Sequence, residues 1–458
     1  MPGLSEQKME IVRSLVEGSP DRIVGALQDA LCGTAGDPVL DEVRRVVNAE
    51  AQDRRLRNLA LQPVAALFAG DGRSAEQLTF PIRALALIWR GLKAEAPTQV
   101  GLVAAAYDDY ASEETPTEAL DALARIAAEG LRSGAARDFA AAAALCDQAR
   151  PGGANLLCAC LDLAAIVRGA TYKLGDWITR TSEANTAAAR LAYKDAVDVA
   201  EDAGCRFFEM LAGQLAQPWM IMRIISAVMD KPTEKYLAES ELASFALRLL
   251  EDIDRNLTTV SRLDVDGGPA AGIAAARAVE TITLQISEME ETVALMREGP
   301  WGARIAKQKQ ALAGAVEERL RAADKAAHAV LPTQPAKILK LLKQVPKLAD
   351  PPDPKAVQRA TTLLTFAYET RSSASYGGFA SARAKLVEKL GEMTDQYVEE
   401  VLDRLRTGEV EDPAVARQFL GVAADLRAVI GDEKGAELIR RRSAASAHIE
   451  PVPPQMIG

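Results

Sequence analysis

The chain has 458 residues, with 54 basic and 64 acidic side chains and a net charge of −10, a balance that argues against a nucleic-acid-binding surface spread over the whole molecule. Hydrophobic residues make up 48% and charged ones 26%, as in an ordinary soluble protein, and the length exceeds what one core organises, so roughly two or three domains are expected. Aromatics at 5% and abundant alanine favour closely packed helices over sheets or a large aromatic-lined cavity.

Helix starts are written repeatedly as a capping residue followed by proline: Ser19-Pro20, Asp37-Pro38, Thr115-Pro116, Asp353-Pro354 and Asp412-Pro413. Proline at the first helical position forfeits no hydrogen bond, and the residue before it can accept from the free amides. No stretch alternates apolar and polar residues in the way of a half-buried strand. The expected fold class is therefore all-α, with about seventeen helices.

The first region, 1–170, reads as short helices at 5–17, 20–32, 38–69 with a kink at Pro63, 74–93, 97–110, 116–131, 135–149 and 153–168. Short connections make consecutive helices antiparallel neighbours, an irregular, solenoid-like stack without a repeat period. The start, MPGLSEQKMEIVRSLVEG, lacks a basic segment leading into an apolar run, so secretion by a signal peptide is not expected. Five cysteines, an odd number, fit reduced thiols in a cytoplasm better than a disulfide framework.

The second region, 171–331, carries longer helices at 176–203, 204–230, 234–264 and 269–331, the last a pair turning at Gly299-Pro300. Gly272, Ala275, Val279, Ile282, Ile286 and Met289 form the seam of the first arm. Folded back as an antiparallel hairpin, the arms would bring Gly272 and Ala275 against Ala323 and Ala327, and Met296 against Trp301. Large residues at the closed end would splay the arms, leaving a wedge for Leu242, Phe245, Leu249 and Ile253 of the preceding helix to fill.

Prolines 332, 335, 346, 351, 352 and 354 punctuate a linker at 332–354. Within it, Lys337 to Lys347 plots as a short basic amphipathic helix, with Ile338, Leu339, Leu341, Leu342 and Val345 on one side and Lys337, Lys340, Lys343 and Lys347 on the other. Such a helix suits a partner groove or an anionic membrane surface, or packs on its own domain with the lysines reaching water. A smaller helical domain follows at 355–448, with helices at 353–371, 379–407, 412–430 and 433–446, and then a flexible tail at 449–458.

Catalytic signatures are sparse. Only His328 and His448 occur, neither in a metal-binding spacing, and no Walker A, GxGxxG or GxSxG sequence is present. Cys158 and Cys160 point about 200° apart on a helix, so with Cys146 they read as buried small hydrophobes rather than a metal site. Asp108, Asp109, Glu113 and Glu114 resemble the Asp-rich motif with which all-α isoprenoid synthases hold magnesium and diphosphate, which would imply a metal-dependent enzyme acting on a phosphorylated substrate. No second acidic motif completes such a cluster, so the stretch reads as a solvated loop before the helix at Pro116. Asp195, Asp198 and Asp202 share one helix face and read as surface.

The function expected from these features is a non-enzymatic cytoplasmic scaffold or adaptor that binds other proteins. Its predicted contact residues are Lys337, Ile338, Lys340, Leu341, Leu342, Lys343 and Lys347, with no cofactor, metal or nucleic acid. The alternatives are a peripheral membrane protein using the same segment and a metal-dependent enzyme acting on a phosphorylated substrate through the carboxylates of 108–114.

Overall fold

Capping side chains set several helix starts where the sequence places them. In the computed structural model, which describes residues 5–32, 37–69, 77–108, 116–179, 182–229, 231–338 and 341–446, Asp37 accepts from the Val39 amide at 2.8 Å, Asp353 from Lys355 at 3.1 Å and Asp412 from Ala414 at 2.8 Å. Each is followed by proline at the first helical position, as the capping rule requires. The chain is all-α: the described residues form twenty α-helices and two short strand pairs. It divides into two compact units, Met1–Phe245 and Ala246–Gly458, with the division falling inside one helix.

In the first unit lie α1 (Glu6–Glu17), α2 (Asp21–Cys32), α3 (Pro38–Ala60), α4 (Ile82–Glu95), α5 (Pro97–Asp108), α6 (Thr117–Ser133), α7 (Arg137–Ala149), α8 (Gly153–Asp162), α9 (Ala164–Thr179), α10 (Glu183–Val197), α11 (Ala203–Ala212), α12 (Ile221–Val228) and α13 (Glu234–Ala238). A minimal parallel strand pair, β1 (Phe68–Ala69) with β2 (Phe80–Pro81), sits between α3 and α4. The single helix expected over 38–69 stops at Ala60. Pro63 cannot donate to a helix ladder, so the chain leaves it, and the carbonyls released there find other partners. Arg168, 1% exposed, donates Nε to the Gln62 carbonyl at 3.2 Å, and Gln214 donates to that of Pro63 at 2.7 Å.

Other long expectations break for similar local reasons. The 176–203 helix is divided between α9 and α10, because Ser182 caps α10 by accepting from the Asn185 amide at 3.1 Å. Pro218 opens a 3-10 turn, Pro218–Met220, that separates α11 from α12. Helices α8 and α9 meet at 66°; among the described residues no single helix is long and apolar enough to cross a membrane, and this bent pair alone passes that test of length and composition. Leu157, Cys158, Cys160, Leu161, Val167 and Leu174 of the pair are buried within the unit.

The second unit begins within α14 (Ala243–Ser261) and continues through α15 (Gly268–Thr292), α16 (Pro300–Val330), β3 (Thr333–Ile338), β4 (Leu341–Pro346), α17 (Pro354–Glu369), α18 (Ala380–Thr407), α19 (Pro413–Val429) and α20 (Glu433–Ser446). Both arms of the expected hairpin exist, with Gly299 and Pro300 at the turn, but they do not pack along one another. Helix α17 packs closely on both, while α15 and α16 barely touch. Contacts advance together along α15 and α17, from Arg359 with Asp266 to Thr283 with Ser373, so these two run parallel.

The small residues of the first arm thus admit α17 rather than α16, a correction to the expected taper. At the turn Met296 is 49% exposed and Trp301 is buried. Helix α14 touches both arms through polar side chains: Gln285 donates to Asp252 at 2.5 Å, and Gln308 donates to the Leu250 carbonyl at 2.8 Å and to Asp254 at 2.7 Å.

Candidate functional site

The basic amphipathic helix expected at 337–347 is not formed. Strands β3 and β4 make an antiparallel hairpin in register from Thr333 opposite Pro346 to Ile338 opposite Leu341. Prolines at 332, 335 and 346 disfavour helical backbone at and beside them, and what lies between is too short for a helix to persist on its own. Lys337, Ile338, Leu341 and Leu342 therefore lie on strands, and Lys340 lies outside the described residues. Lys337, Lys343 and Lys347 do not share a helix face. Lys343 pairs with Glu400 on α18 at 2.5 Å, and the Lys347 amide donates to the Pro332 carbonyl at 2.9 Å. The base of the hairpin is docked: Val345 and Leu348 are buried, and Arg404 donates to the Pro346 carbonyl at 2.9 Å.

Other sequence candidates are dispersed. Asp108 ends α5, and 109–115, with Asp109, Glu113 and Glu114, lie outside the described residues. His328 is exposed, its Nδ1 2.9 Å from the Asp324 carbonyl one turn back. Asp202 is engaged in an ion pair with Arg206. Burial pushes the thiols of Cys146 and Cys160 up to about 12 and raises that of Cys158, which keeps them protonated. Among the described residues, no three His, Cys, Asp or Glu side chains converge to hold a metal.

What the structure does assemble is a cleft of about 580 Å³ between α1, α3 and α4 in the first unit. Helical periodicity builds each wall. Glu6, Met9, Arg13 and Glu17 form one stripe of α1, and Ala86, Trp89, Arg90 and Lys93 one stripe of α4. Along α3 the wall runs from Glu42 through Val46, Ala49, Glu50 and Asp53 to Arg57, about 22 Å at 1.5 Å per residue.

Arg54, behind this wall and 4% exposed, fixes the site's frame. It donates to the Val16 carbonyl at 2.8 Å, the Glu17 carbonyl at 3.4 Å and the Ser19 carbonyl at 2.8 Å, at and just beyond the end of α1 where carbonyls run short of helical partners. Its Nε also donates to Glu50 at 2.9 Å and its Nη1 to Asp21 at 2.5 Å. One side chain thus ties the end of α1 and the start of α2 to α3.

Arg57 lies one turn further on and differs. It is 1% exposed, its Nη1 donates to the same Glu50 oxygen at a long 3.4 Å, and its Nε is buried without a partner. Burial pushes its pKa below the ordinary arginine value, with Glu50 acting in the opposite direction, yet a guanidinium stays charged at any physiological pH. Two buried guanidiniums therefore share one half-buried carboxylate. The remaining floor acids are better matched. Asp53 accepts from Lys93 at 2.6 Å and from the Trp89 indole at 3.4 Å, and Glu17 accepts from Arg90 at 3.5 Å. Burial raises the Glu17 carboxyl above its ordinary value, only partly offset by Arg90.

Sequence reasoning passed over this cleft because it searched for apolar stripes and named motifs. The α3 stripe is largely charged, and nothing in its spacing says that Arg54 and Arg57 are buried. Trp89, one of four tryptophans in the chain, was the available signal. Comparisons with protein-family models, with curated proteins and with solved structures find no match for the chain.

Proposed function

We propose that this protein is a cytoplasmic helical adaptor that binds another protein, and that the cleft between α1, α3 and α4 receives a segment of that partner. One observation carries the reading: the cleft is lined along about 22 Å of α3 and by stripes of α1 and α4, mixing apolar walls with charged groups. A compact substrate needs convergent groups around one point, whereas a trough with recognition groups spaced along a helix suits a chain segment. The irregular stacking of helices in the first unit adds further surface of the same kind. No disulfide joins the five cysteines, three of them buried, which accords with a reducing compartment.

The test is affinity capture from the native cell extract with the full chain and with Ala49→Trp, which places a bulky ring in the trough at an exposed position. The expected result is a set of proteins held by the parent and lost by the variant, with the variant's melting curve unchanged. Identical capture by both would reject the cleft as the binding place.

A further inference from the structure

We propose that Arg57 is the anchor for an acidic side chain, so that the segment received by the α1/α3/α4 cleft carries a glutamate or aspartate beside apolar residues. This rests on the adaptor reading above and names the chemistry of its partner.

Arg57 presents a planar fork of five N–H donors, of which a buried site normally satisfies most. Among the described residues its guanidinium bonds only to Glu50, at 3.4 Å, and Glu50 is bound more closely by Arg54 at 2.9 Å. Nε has no partner although it is buried. A buried cation with spare donors is costly to keep unless something completes it, and a carboxylate is the complement that matches the fork in geometry and charge.

Three of the five acids lining the cleft are already engaged by basic side chains. Glu17, Glu50 and Asp53 already accept from Arg90, Arg54 and Lys93 respectively. Formal charge along the walls is balanced, and the buried lining atoms left without a partner, Arg57 Nε and Arg90 Nε, are both donors on basic side chains. Met9, Val46, Ala49 and Ala86 line the same cleft and offer contact to apolar residues of the segment that carries the acid. A free carboxylic acid or phosphate would share the anionic chemistry, yet would leave untouched most of a lining that runs about 22 Å along α3 at 1.5 Å per helical residue. The extended wall favours a peptide as the source.

The experiment follows the Arg Nε–H and Trp indole signals of the full chain by NMR, with Arg57 and Trp89 assigned by substitution. The probes are N-acetyl-glutamate N′-methylamide, its glutamine counterpart, succinate and inorganic phosphate, each at millimolar concentration. The glutamate probe is expected to shift both signals saturably, and the glutamine probe to bind at least roughly tenfold more weakly. The Trp89 shift should be weakened in Arg57→Lys, which keeps the charge but loses the fork, and abolished in Arg57→Gln. Arg57→Lys serves alone if the Gln variant does not fold.

Equal response to glutamate and glutamine, or no saturable response to either, overturns the anchor. Tighter binding of succinate or phosphate than of the glutamate probe overturns the peptide source and makes this a small-anion site. Extract capture separates the two proposals: proteins lost with Ala49→Trp but fully retained by Arg57→Lys leave the adaptor reading standing and reject the anchor, whereas proteins retained by both variants reject the cleft itself.

Discussion

Gly272 on α15 lies so close to Thr362 on α17 that a β-carbon built on the glycine would stand 2.4 Å from the threonine carbonyl oxygen and 3.2 Å from the Phe366 amide nitrogen. The neighbour is backbone, which cannot swing aside. This contact sets the spacing of the most closely packed helix pair in the second unit, and it explains why a glycine is tolerated well inside a helix.

Gly272→Ala should therefore destabilise the protein. Alanine gains about 1 kcal/mol in helix propensity over glycine, but forcing a methyl into packed backbone costs roughly 1 to 3 kcal/mol, and here the clash is with main-chain atoms that do not move. The control is Gly314→Ala on α16, where nothing lies within 4 Å of the added carbon. Urea midpoints should fall for the first and rise for the second. A rise for both would show that α15 and α17 are not in contact at Gly272.

Arg54 and Asp21 offer a contrast in magnitude. Arg54→Met should cost about 3 to 5 kcal/mol, because the change strips partners from Glu50 and from the end of α1 at a buried position. Asp21 is 66% exposed at its side chain, so Asp21→Asn should cost under about 1 kcal/mol despite removing a close ion pair with the same arginine. Chemical denaturation of both variants measures the difference. Comparable losses would mean that the arginine acts mainly through Asp21.

Glu17 carries a pH signature. Burial raises its carboxyl above the ordinary 4.5, so the folded chain holds this proton more tightly than the unfolded chain does. The folded state is then penalised as pH rises from 4.5 through the folded value, and the penalty is complete above it. Glu17→Gln removes that penalty, and since burial outweighs the Arg90 attraction, the variant should melt higher than the parent at neutral pH, with the gap closing toward pH 4.5. A parent that melts higher at neutral pH would show the Arg90 pair to be the larger effect.

The sequence was most legible where backbone chemistry decided the outcome. Asp37, Asp353 and Asp412 cap their helices because an aspartate before proline has few better roles. It was least legible where the partner is distant in sequence. Gly272 and Ala275 announce a close approach, but not that the neighbour would be α17, some 90 residues on, rather than the adjacent α16. At the cleft, Arg54 and Arg57 are three residues apart on a helix rich in arginine, and only the tertiary fold distinguishes these two, both buried, from Arg55, which is exposed. At 337–347, a helical plot sorted lysines from apolar residues convincingly, yet the bordering prolines had already constrained the backbone to extended conformation.

The cysteines should divide by reactivity. Thiolate is the attacking species, and burial pushes Cys146 and Cys160 up to about 12, leaving almost none at pH 8. Cys32 is exposed. Iodoacetamide followed by peptide mass mapping should label Cys32 in the native protein and reach Cys146, Cys158 and Cys160 only after denaturation. Early labelling of Cys146 would mean that α7 opens locally.

The docked hairpin can be tested by two substitutions of opposite expected weight. Val345, 4% exposed, closes the core beneath β4, and its burial contributes roughly 1.5 to 3 kcal/mol before any charge is considered. Val345→Asp loses that contribution and also places a carboxylate in an apolar contact, so the thermal midpoint should drop clearly. Lys343 is 52% exposed at its side chain, and its pair with Glu400 is of the surface kind that contributes at most about 1 kcal/mol. Lys343→Gln should leave melting nearly unchanged and make it less salt-dependent, because screening acts on such pairs within about 8 Å at physiological ionic strength. If Val345→Asp melts like the parent, the hairpin base is not docked on α18. The Val345 and Arg404 contacts would then have to be released together, since the carbonyl that Arg404 holds belongs to the next residue, Pro346.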